Sequence, residues 1–593
     1  MSVSPVIAMP KDGALGESGT EDSLHYAGYT IEQLSGALST ASGGDTKVVD
    51  WRWSCTCGWT DSGRHVYHKP LTVATHTVTM VILGDGGGTN STTKDIIAID
   101  LPSVPLVMDT YHKGAGSDSD TGVDDAHAYS SWERSGYRWF EGDITHSRYT
   151  PGRVRTKAGD GVNWTSNNDD VTSPRHYDDF DFGPLVFDAY DSGARPNVHF
   201  GAGKKIQFLA NHHVPDEWGW SVYFKGLRCF KDAQEDDGVG SNIPGSQYDD
   251  CVFENFGVVL QGNFKRAFVG GRVTGSATTG LHVACTWAAL DGVTIDGNGL
   301  GGVNAEHQVY GTDINHGCFR RLIVIGSIEA NDCLRSVSSR YVYVADCDVS
   351  NTRNAGAAYY PGSNGTTFAA STNWLGERLI ARAGLDTAVA IDFNHNDNSL
   401  LRNFKFFGAH TGIVIRGYDS THKANDTRIY HGVSYDPGAG IRNFTIDSNA
   451  TATKIRNIVF YRNDNEPFFA VETASTIDMD YCCFFRSGGT NDADDANFCA
   501  VAGVTKSFSQ WKALLSNKND QHSFFRDPKF INGGTGDFRF QADSPCLNAG
   551  QKLGEVPRDY ADLIRGSSVA IGTYELTYQT ILPAGINRTV RTV

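Results

Sequence analysis

The sequence predicts an all-β protein built as a solenoid, in which short strands stack coil upon coil. Two observations carry this prediction. Asn, Asp and Gly cluster between the strand-like stretches, as left-handed turn positions require. Strand-like stretches of similar pattern also recur about every 25 residues, each with inward apolar positions bracketing an outward one. The six clearest are Gly280–Thr286, Glu306–Thr312, Cys333–Ser339, Gly356–Gly362, Ala388–Asn394 and Gly412–Tyr418.

Composition agrees with an elongated fold and excludes several functions. The chain has 593 residues, more than one ordinary core can hold, and its 40% hydrophobic content is too high for disorder. A net charge of −17 argues against nucleic-acid binding and against an anionic membrane surface. No stretch approaches the 18 or so apolar residues that a membrane-spanning helix needs, so we expect no membrane insertion. A neutral glycan partner is compatible with this charge.

The cysteines and the N-terminus bear on location. The first residues lack a basic start followed by an apolar core, so no secretory signal is expected. The twelve cysteines are dilute, which favours reduced thiols packed as small hydrophobes. Cys55-Thr-Cys57 offers two thiolates, but no second Cys or His pair follows at a zinc spacing, so the sequence does not favour a metal there.

The chain divides into five predicted parts. Residues 1–28 are an arm or anchor, residues 29–106 hold a capping helix and the first coils, and residues 107–182 are a polar, aromatic excursion. The helix is predicted from the capping box Thr30-Ile-Glu-Gln33 and from Ile31, Leu34 and Leu38 at helical spacing. Residues 183–500 form the coil stack and residues 501–593 a closing module, with a short helix near 509–516.

Two segments resemble a known family. Gly183–Val198 is similar to the segment that opens the coils in right-handed parallel β-helix proteins of the pectate-lyase-like superfamily. Asp527-Pro-Lys-Phe, Gly536-Asp-Phe-Arg-Phe, Asp543-Ser-Pro-Cys-Leu-Asn-Ala-Gly550 and Ile571-Gly-Thr-Tyr-Glu575 resemble its closing segment. The resemblance implies right-handed coils of about three strands each, the hand that parallel crossovers prefer. It implies no particular reaction.

One candidate surface follows from strand alternation. Taking Val309 and Leu334 as inward places Tyr310 and Arg335 outward on successive coils, and the same alternation places Ala390 outward. Glu306 and His307 lie beside them at a strand end. These four residues, Glu306, His307, Tyr310 and Arg335, are the candidate catalytic group. The alternatives are glycan contact, or hydrogen bonds that hold a coil corner. The hydrolase and lyase motifs of known β-helix enzymes are absent.

Aromatic and acidic residues give further candidates. Aromatic faces stack on sugar rings and Arg binds carboxylates or hydroxyls, so a glycan-binding role is predicted for Trp132, Arg138, Trp139, Trp218, Trp220 and Arg416. For the aromatic residues, packing inside the excursion or against a neighbouring chain is the alternative. Asp118, Asp120 and Asp124 resemble part of a Ca²⁺ loop, although no Glu closes the pattern, so solvated loop charge is the alternative.

Three functions remain open at this level. The first is a virion protein of the phage tail-spike or fibre kind that binds a cell-surface polysaccharide, with the N-terminal arm contacting other virion proteins and a trimer by analogy. The second is a polysaccharide lyase or glycoside hydrolase on the same fold. The third is a purely structural virion component. We expect the protein in the virion, or outside the cell by a non-classical route.

Overall fold

A computed structural model gives the fold. It describes most of the chain in segments, namely residues 2–9, 25–29, 31–100, 108–112, 152–164, 171–172, 185–200, 206–209, 222–233, 237–241, 246–298, 307–326, 332–351, 356–363, 369–383, 389–408, 411–436, 442–473, 477–487, 496–514 and 520–575.

The described chain is dominated by a parallel β-solenoid, which confirms the predicted fold class. Successive coils pair in parallel, each strand with the strand one coil further on, and together they form one continuous sheet of 39 strands. Three ladders of strands run along the stack, and we call them faces 1, 2 and 3. The chain passes from face 3 to face 1, then to face 2, and the next coil starts again on face 3.

Face 1 consists of Met108–His112, Gly152–Lys157, Leu185–Tyr190, Val222–Lys225, Ser246–Asp249, His316–Arg320, Val342–Ala345, Leu375–Glu377 and Ile477–Asp480. Face 2 consists of Gly161–Trp164, Asn197–Phe200, Arg228–Lys231, Val252–Glu254, Arg272–Thr274, Thr294–Asp296, Ile323–Ile325, Asp348–Asn351, Ile380–Ala383, Cys483–Arg486 and Phe524–Phe525. Face 3 consists of Val171–Thr172, Ile206–Leu209, Asp237–Ser241, His307–Thr312, Asp332–Val337, Ala357–Pro361, Val389–Asn394, Thr411–Arg416, Arg442–Ile446, Phe469–Val471 and Cys499–Val501.

Five long strands bend around a corner and serve two faces. Gly257–Val269 and Leu281–Asp291 run from face 3 to face 1. Asn396–Phe407, Ala424–Asp436 and Thr453–Arg462 run from face 1 to face 2. Ser371–Thr372 and Ala450–Thr451 are short strands at the corner between faces 3 and 1. All six recurring stretches of the sequence fall on face 3.

Parallel strands also occur inside the predicted excursion. Met108–His112, Gly152–Lys157, Gly161–Trp164 and Val171–Thr172 pair in the solenoid. The coil stack therefore begins well before residue 183, and the described part of residues 107–182 belongs to it. Polar composition concealed these strands, because side-chain alternation is their main sequence signal.

Stacked apolar side chains fill the interior. Phe187, Phe224 and Tyr248 stack with ring centroids 4.6 and 5.2 Å apart, and Phe444 lies 4.3 Å from Phe469. Burying one such ring contributes about 1.5–3 kcal/mol relative to leaving it exposed. The repeated coil makes these contributions add along the stack, because equal positions on successive coils hold similar side chains.

The corner between faces 1 and 2 is built by one left-handed residue per coil. All have φ between 52° and 68° and occupy equivalent positions: Gly226, Asp250, Gly270, Gly292, Arg321, Asp346, Arg378, Asn403, His431, Asn457 and Tyr481. The residue after Gly270 shows how tight the corner is, since a Cβ on Gly271 would lie 1.9 Å from the carbonyl oxygen of Cys251. The clusters of Asn, Asp and Gly in the sequence therefore mark real turn positions.

The predicted N-terminal helix is absent; the residues in question form a strand. Glu32–Ser35 pairs antiparallel with His65–His68, and all four of its residues are buried. The Gln33 amide donates to the carbonyl oxygens of Ala288 and His316 on face 1, at 2.9 and 3.1 Å. These long-range contacts override the local helical pattern, which alone is a weak signal.

Antiparallel strands form an N-terminal module where the first coils were expected. Val48–Cys55 pairs with Thr60–Ser62 and Ala74–Gly84, and Ala74–Gly84 pairs with Thr89–Ile99. Thr89–Ile99 also pairs with His25–Tyr26, in parallel, and Ser2–Ser4 pairs antiparallel with Thr40–Ser42. Thus Ser2–Ser4 and His25–Tyr26, inside the predicted arm of residues 1–28, are part of this module.

Among the described residues, one α-helix covers the C-terminal end of the coils. Phe508–Ala513 begins at a capping box. The Ser507 side chain accepts a hydrogen bond from the backbone N–H of Gln510, and the Gln510 side chain accepts one from the backbone N–H of Ser507. Trp511 is fully buried 5.0 Å from Phe469, and Phe508 packs 4.7 Å from Phe498. The predicted short helix near residue 509 is thereby confirmed, and Val504–Lys506 precedes it as a strand antiparallel to Cys499–Val501.

The closing segment packs along the outside of the stack. Phe530–Asn532 and Asp537–Phe540 form a hairpin through the 3-10 turn Gly533–Thr535. Phe538 and Phe540 join a buried cluster with Val433 and Val459 of the coils. The N-terminal module likewise packs on outward residues of face 1, including Tyr343 and Leu375.

The two terminal modules meet over face 1 around a buried ion-pair network. Arg402 of face 1 donates to both the Glu377 carboxylate (2.6 Å) and the carbonyl oxygens of Val49 (2.9 Å) and Glu555 (2.6 Å). Arg52 of the N-terminal module pairs with Asp562 of the closing segment at 2.8 Å. Neighbouring guanidinium groups of Arg378 and Arg402 offset the burial of Glu377 and hold the pKa of that carboxyl far below its usual range.

Among the described residues no helix is long and apolar enough to cross a bilayer. The twelve cysteines are all thiols, eleven of them buried and only Cys57 exposed, which agrees with the packed-thiol prediction.

We expect Glu377→Gln to lower the free energy of unfolding by about 3–5 kcal/mol, because it leaves buried guanidinium charge without its counter-ion. Chemical denaturation measures this loss. The matched control is Asp348→Asn, which breaks the exposed pair with Arg382 (side chains 35% and 47% exposed) and should cost less than about 1 kcal/mol. If Glu377→Gln and Asp348→Asn lower the free energy of unfolding equally, Glu377 is not the counter-ion of the buried guanidinium groups.

A second expectation concerns Asp520, which accepts hydrogen bonds from Trp511 and Ser523 beneath the C-terminal cap. Burial raises the pKa of Asp520 to about 7. The folded state therefore binds more protons than the unfolded state between about pH 4 and 7, and the Asp520 contribution to stability falls as the pH rises through that window. The melting temperature of Asp520→Asn minus that of the wild type should be higher at pH 8 than at pH 4. A difference independent of pH would refute the raised pKa.

Candidate functional site

Face 3 carries a row of polar and aromatic side chains at one outward position of successive strands. His282 pairs with Tyr310, Tyr310 with Arg335 and Arg335 with Tyr360. Asp392 continues the row on the next coil, because the preceding pair is Tyr359 with Ile391. With their neighbours these residues form what we call the face-3 cluster: His282, His307, Tyr310, Asp332, Arg335, Tyr360, Asp392, Asn394 and Arg416.

His307 and Arg335 lie in direct contact at one end of the cluster. An Arg335 Nη1 donor is 3.2 Å from His307 Nε2, so Nε2 accepts and the ring proton is on Nδ1. Nδ1 lies 3.3 Å from both the carbonyl oxygen and the backbone nitrogen of Asp332, and a protonated Nδ1 donates a hydrogen bond to the carbonyl oxygen. Burial, together with the Arg335 charge, lowers the pKa of His307 to about 3. His307 is therefore neutral at physiological pH.

Arg335 lies between two aromatic rings. Its guanidinium carbon is 5.5 Å from the Tyr310 ring centroid and 4.8 Å from that of Tyr360. The Tyr310 ring in turn stacks on His307 at 4.9 Å. This arrangement fixes the guanidinium plane, and cation–π contact of this kind is worth about 0.5–2 kcal/mol.

Two carboxyl groups hold the cluster's negative charge. Asp332 accepts from the Ala357 backbone N–H at 2.9 Å and from Arg335 Nη1 at 3.4 Å. Asp392 receives two bonds from Arg416, with Nε at 3.2 Å and Nη2 at 2.6 Å. Burial raises the pKa of both carboxyls, that of Asp392 to about 6. Asp332 adds to the rise at Asp392, since the two like charges oppose each other.

Two buried polar atoms of the cluster have no hydrogen-bond partner among the described residues. They are the donor Nε of Arg335 and the acceptor Oδ1 of Asn394. The other end of the Asn394 amide, Nδ2, donates to the Tyr360 hydroxyl at 2.9 Å. Both atoms have almost no solvent-accessible surface, and an unpaired buried polar atom costs about 1–3 kcal/mol, so the packing around Arg335 and Asn394 must hold them in place.

The cluster is open on one side only. Tyr360, Arg335 and Asp392 are buried, whereas the Arg416 side chain is 47% exposed. His282 and Tyr310 are half-buried. A ligand thus meets Arg416 and Tyr310 first, and the carboxyl of Asp392 lies beneath Arg416.

The other faces offer less room for a ligand. The terminal modules pack on outward residues of face 1. Face 2 is lined by ion pairs between successive coils, such as Arg228 with Glu254 and Arg272 with Asp296. Further along, face 2 carries Tyr435 and Tyr461, whose rings stack at 4.2 Å and are partly covered by the closing segment.

The structure brings four of the predicted site residues together. His307, Tyr310, Arg335 and Arg416 all lie in the face-3 cluster. Sequence reasoning missed Asp332, Tyr360 and Asn394 as members. Tyr360 is the fifth residue of the recurring stretch Gly356–Gly362, as Tyr310 is of Glu306–Thr312, so aligning these two stretches finds it as an outward residue. The outward position of Ala390 was wrong, because Ala390 and Ile391 both face the core and Asp392 points outward.

Several predicted residues lie outside the described residues. They are Glu306, the glycan-binding candidates Trp132, Arg138, Trp139, Trp218 and Trp220, and the Ca²⁺ candidates Asp118, Asp120 and Asp124. Their roles stay predictions.

Comparison with known proteins yields a distant structural likeness. No protein-family profile and no curated protein sequence matches the chain. A solved structure of XylC with xylose is similar, with a TM-score of 0.39 and 6% sequence identity, over 79% of this chain and 98% of that one.

Proposed function

We propose that this protein binds a polysaccharide along face 3, with the face-3 cluster as the binding site. The observation that carries the proposal is the row of aromatic and charged side chains on face 3, in which His282 and Tyr310 are half-buried and the Arg416 side chain is 47% exposed. Sugar hydroxyls both donate and accept hydrogen bonds, so a glycan that lies along this row can pair with the guanidinium of Arg416. The half-buried Tyr310 ring supplies an apolar face for a sugar ring, and the exposed edge of Arg416 supplies hydrogen-bond donors.

The solenoid geometry supports a polymer rather than a single sugar. Strands of face 3 follow one another at about 4.8 Å, so equivalent outward positions form a straight ladder along the stack. Extended concave or flat surfaces of this kind are what solenoid proteins use to bind long partners. The cluster itself spans six successive strands, from Leu281–Asp291 to Thr411–Arg416.

A second candidate function is cleavage of the bound polymer by hydrolysis. It is favoured by the raised pKa of Asp392, about 6, since a carboxyl that is protonated in mildly acidic solution can act as a general acid toward a glycosidic oxygen. Asp332 would be the second carboxylate that such chemistry requires. Elimination at a uronate, the lyase alternative, would instead use Arg335 to neutralise the substrate carboxylate.

Attachment to a virion is a finer proposal. Its support is the analogy between this solenoid fold and proteins of the tail-spike kind. The same holds for a trimer and for contacts of the N-terminal residues with other virion proteins. A purely structural virion component is the outcome if no glycan binds.

We expect Arg416→Ala to weaken polysaccharide binding at least about tenfold, since a charge-assisted bond to the ligand is worth about 1.5–3 kcal/mol. A screen of immobilised bacterial and plant polysaccharides finds the ligand, and titration measures the affinity. Arg382→Ala is the matched control, because Arg382 on face 2 is also 47% exposed and also pairs with an aspartate through two bonds. Equal effects of both substitutions would place the ligand elsewhere.

If the polymer is cut, Asp392→Asn should reduce the release of reducing ends about 100-fold or more while binding persists, because it removes the proton donor. The wild-type rate should fall as the pH rises above about 6, the pKa of Asp392. Asp348→Asn serves as the control. Products with unsaturated ends would show elimination instead, and undiminished release in Asp392→Asn would exclude this residue as the acid.

A further inference from the structure

The N-terminal module brings together four side chains of the kind that bind zinc. Their potential ligand atoms all lie within 4.8 Å of one another, and the residues are Cys55, Cys57, His68 and His76. We call them the Cys–His cluster. Three different strand regions supply them: Cys55 ends Val48–Cys55, Cys57 lies in the following turn, His68 ends His65–His68, and His76 lies in Ala74–Gly84.

Distances within the cluster fit a tetrahedral ion. His68 Nε2 is 3.7 Å from Cys55 Sγ and 3.7 Å from Cys57 Sγ. Zinc–sulfur and zinc–nitrogen bonds of about 2.3 and 2.0–2.1 Å at tetrahedral angles place sulfur and nitrogen about 3.6 Å apart. The two distances from His68 Nε2 to the sulfur atoms, 3.7 Å each, therefore match the separation expected between two ligands of one tetrahedral zinc ion.

The protein around the cluster orients its ligands. His76 Nε2 is 2.8 Å from the carbonyl oxygen of Thr72, which only accepts, so Nε2 carries the proton and Nδ1 keeps the lone pair. Zinc-binding histidines commonly donate their second nitrogen in this way. At the turn, the Cys57 backbone N–H donates to Cys55 Sγ at 3.4 Å. Gly58 then follows with φ of 87°, which lets the chain double back beside both sulfurs.

Burial makes the cluster unlike a chance surface group. Cys55, His68 and His76 are 8%, 2% and 3% exposed, and the Trp59 ring packs 4.9 Å from the His68 ring. Only Cys57 is exposed. A site closed on three sides by protein, with four soft and borderline ligands, is typical of structural zinc.

We propose that the Cys–His cluster is a structural zinc site that holds the N-terminal module together. The ion would tie the hairpin turn at Cys55 to the strands of His68 and His76. Those same strands lie in the module that packs on face 1. The site is separate from the face-3 cluster, and its test does not depend on the proposed function.

Metal analysis of the full chain, purified with a tag that lacks histidine and without chelators, tests the proposal. We expect one zinc per chain, and Co²⁺ in its place should give the charge-transfer absorption of cobalt bound to thiolates. Cys57→Ser should weaken zinc binding at least about 100-fold, the upper effect of losing even an indirect partner. Cys57 is exposed, so this substitution should leave the fold intact by circular dichroism.

His76→Gln is the second test variant, and it should also lose zinc. His422→Gln and Cys333→Ala, which change a histidine and a cysteine outside the cluster, are the controls that should keep one zinc per chain. A wild type that binds no zinc when supplied with it overturns the proposal, as does a Cys55–Cys57 disulfide found by thiol counting. Full occupancy by copper or iron instead of zinc would overturn the assignment of the metal.

Discussion

Residue-for-residue pairing between successive coils is the constraint on which the rest of the structure depends. Because strands pair in parallel and in register, equal positions on neighbouring coils lie about 4.8 Å apart and point the same way. This register produces three features of the protein. Inside the solenoid it stacks the rings of Phe187, Phe224 and Tyr248. It also repeats the left-handed residue at the corner between faces 1 and 2, and it forms the row from Tyr310 to Asp392 on face 3. A shift by one residue would exchange core and surface on every coil at once.

Register also explains why polar groups in the face-3 cluster can remain buried and only partly satisfied. The backbone of each strand is held by two neighbours, so Arg335 and Asn394 keep their positions although Nε and Oδ1 lack partners. Strained or unsatisfied groups persist where the surrounding structure fixes them, and such groups concentrate at functional sites. The terminal modules pack against face 1 and the closing segment partly covers face 2, which leaves face 3 as the ladder for a long ligand.

The sequence was informative where one short pattern repeats and misleading where contacts are long-range. Alternation and the turn residues located the strands of face 3 and the left-handed corners, because both signals are local. The N-terminal helix failed because Gln33 is held by residues more than 250 positions away. The Cys–His cluster escaped for the same reason: an antiparallel sheet brings His68 and His76 to the Cys55 turn, and no fixed spacing in the chain announces it. Asp332 was missed because it immediately precedes the recurring stretch Cys333–Ser339 and so lies outside the pattern.

The most direct test of the central claim is a structure of the full chain with an oligosaccharide of the polymer it binds. We expect sugar density along face 3, with one ring against Tyr310 and hydroxyls within hydrogen-bond distance of the Arg416 guanidinium. Density over the stacked Tyr435 and Tyr461 rings of face 2, or on the N-terminal module, would contradict it.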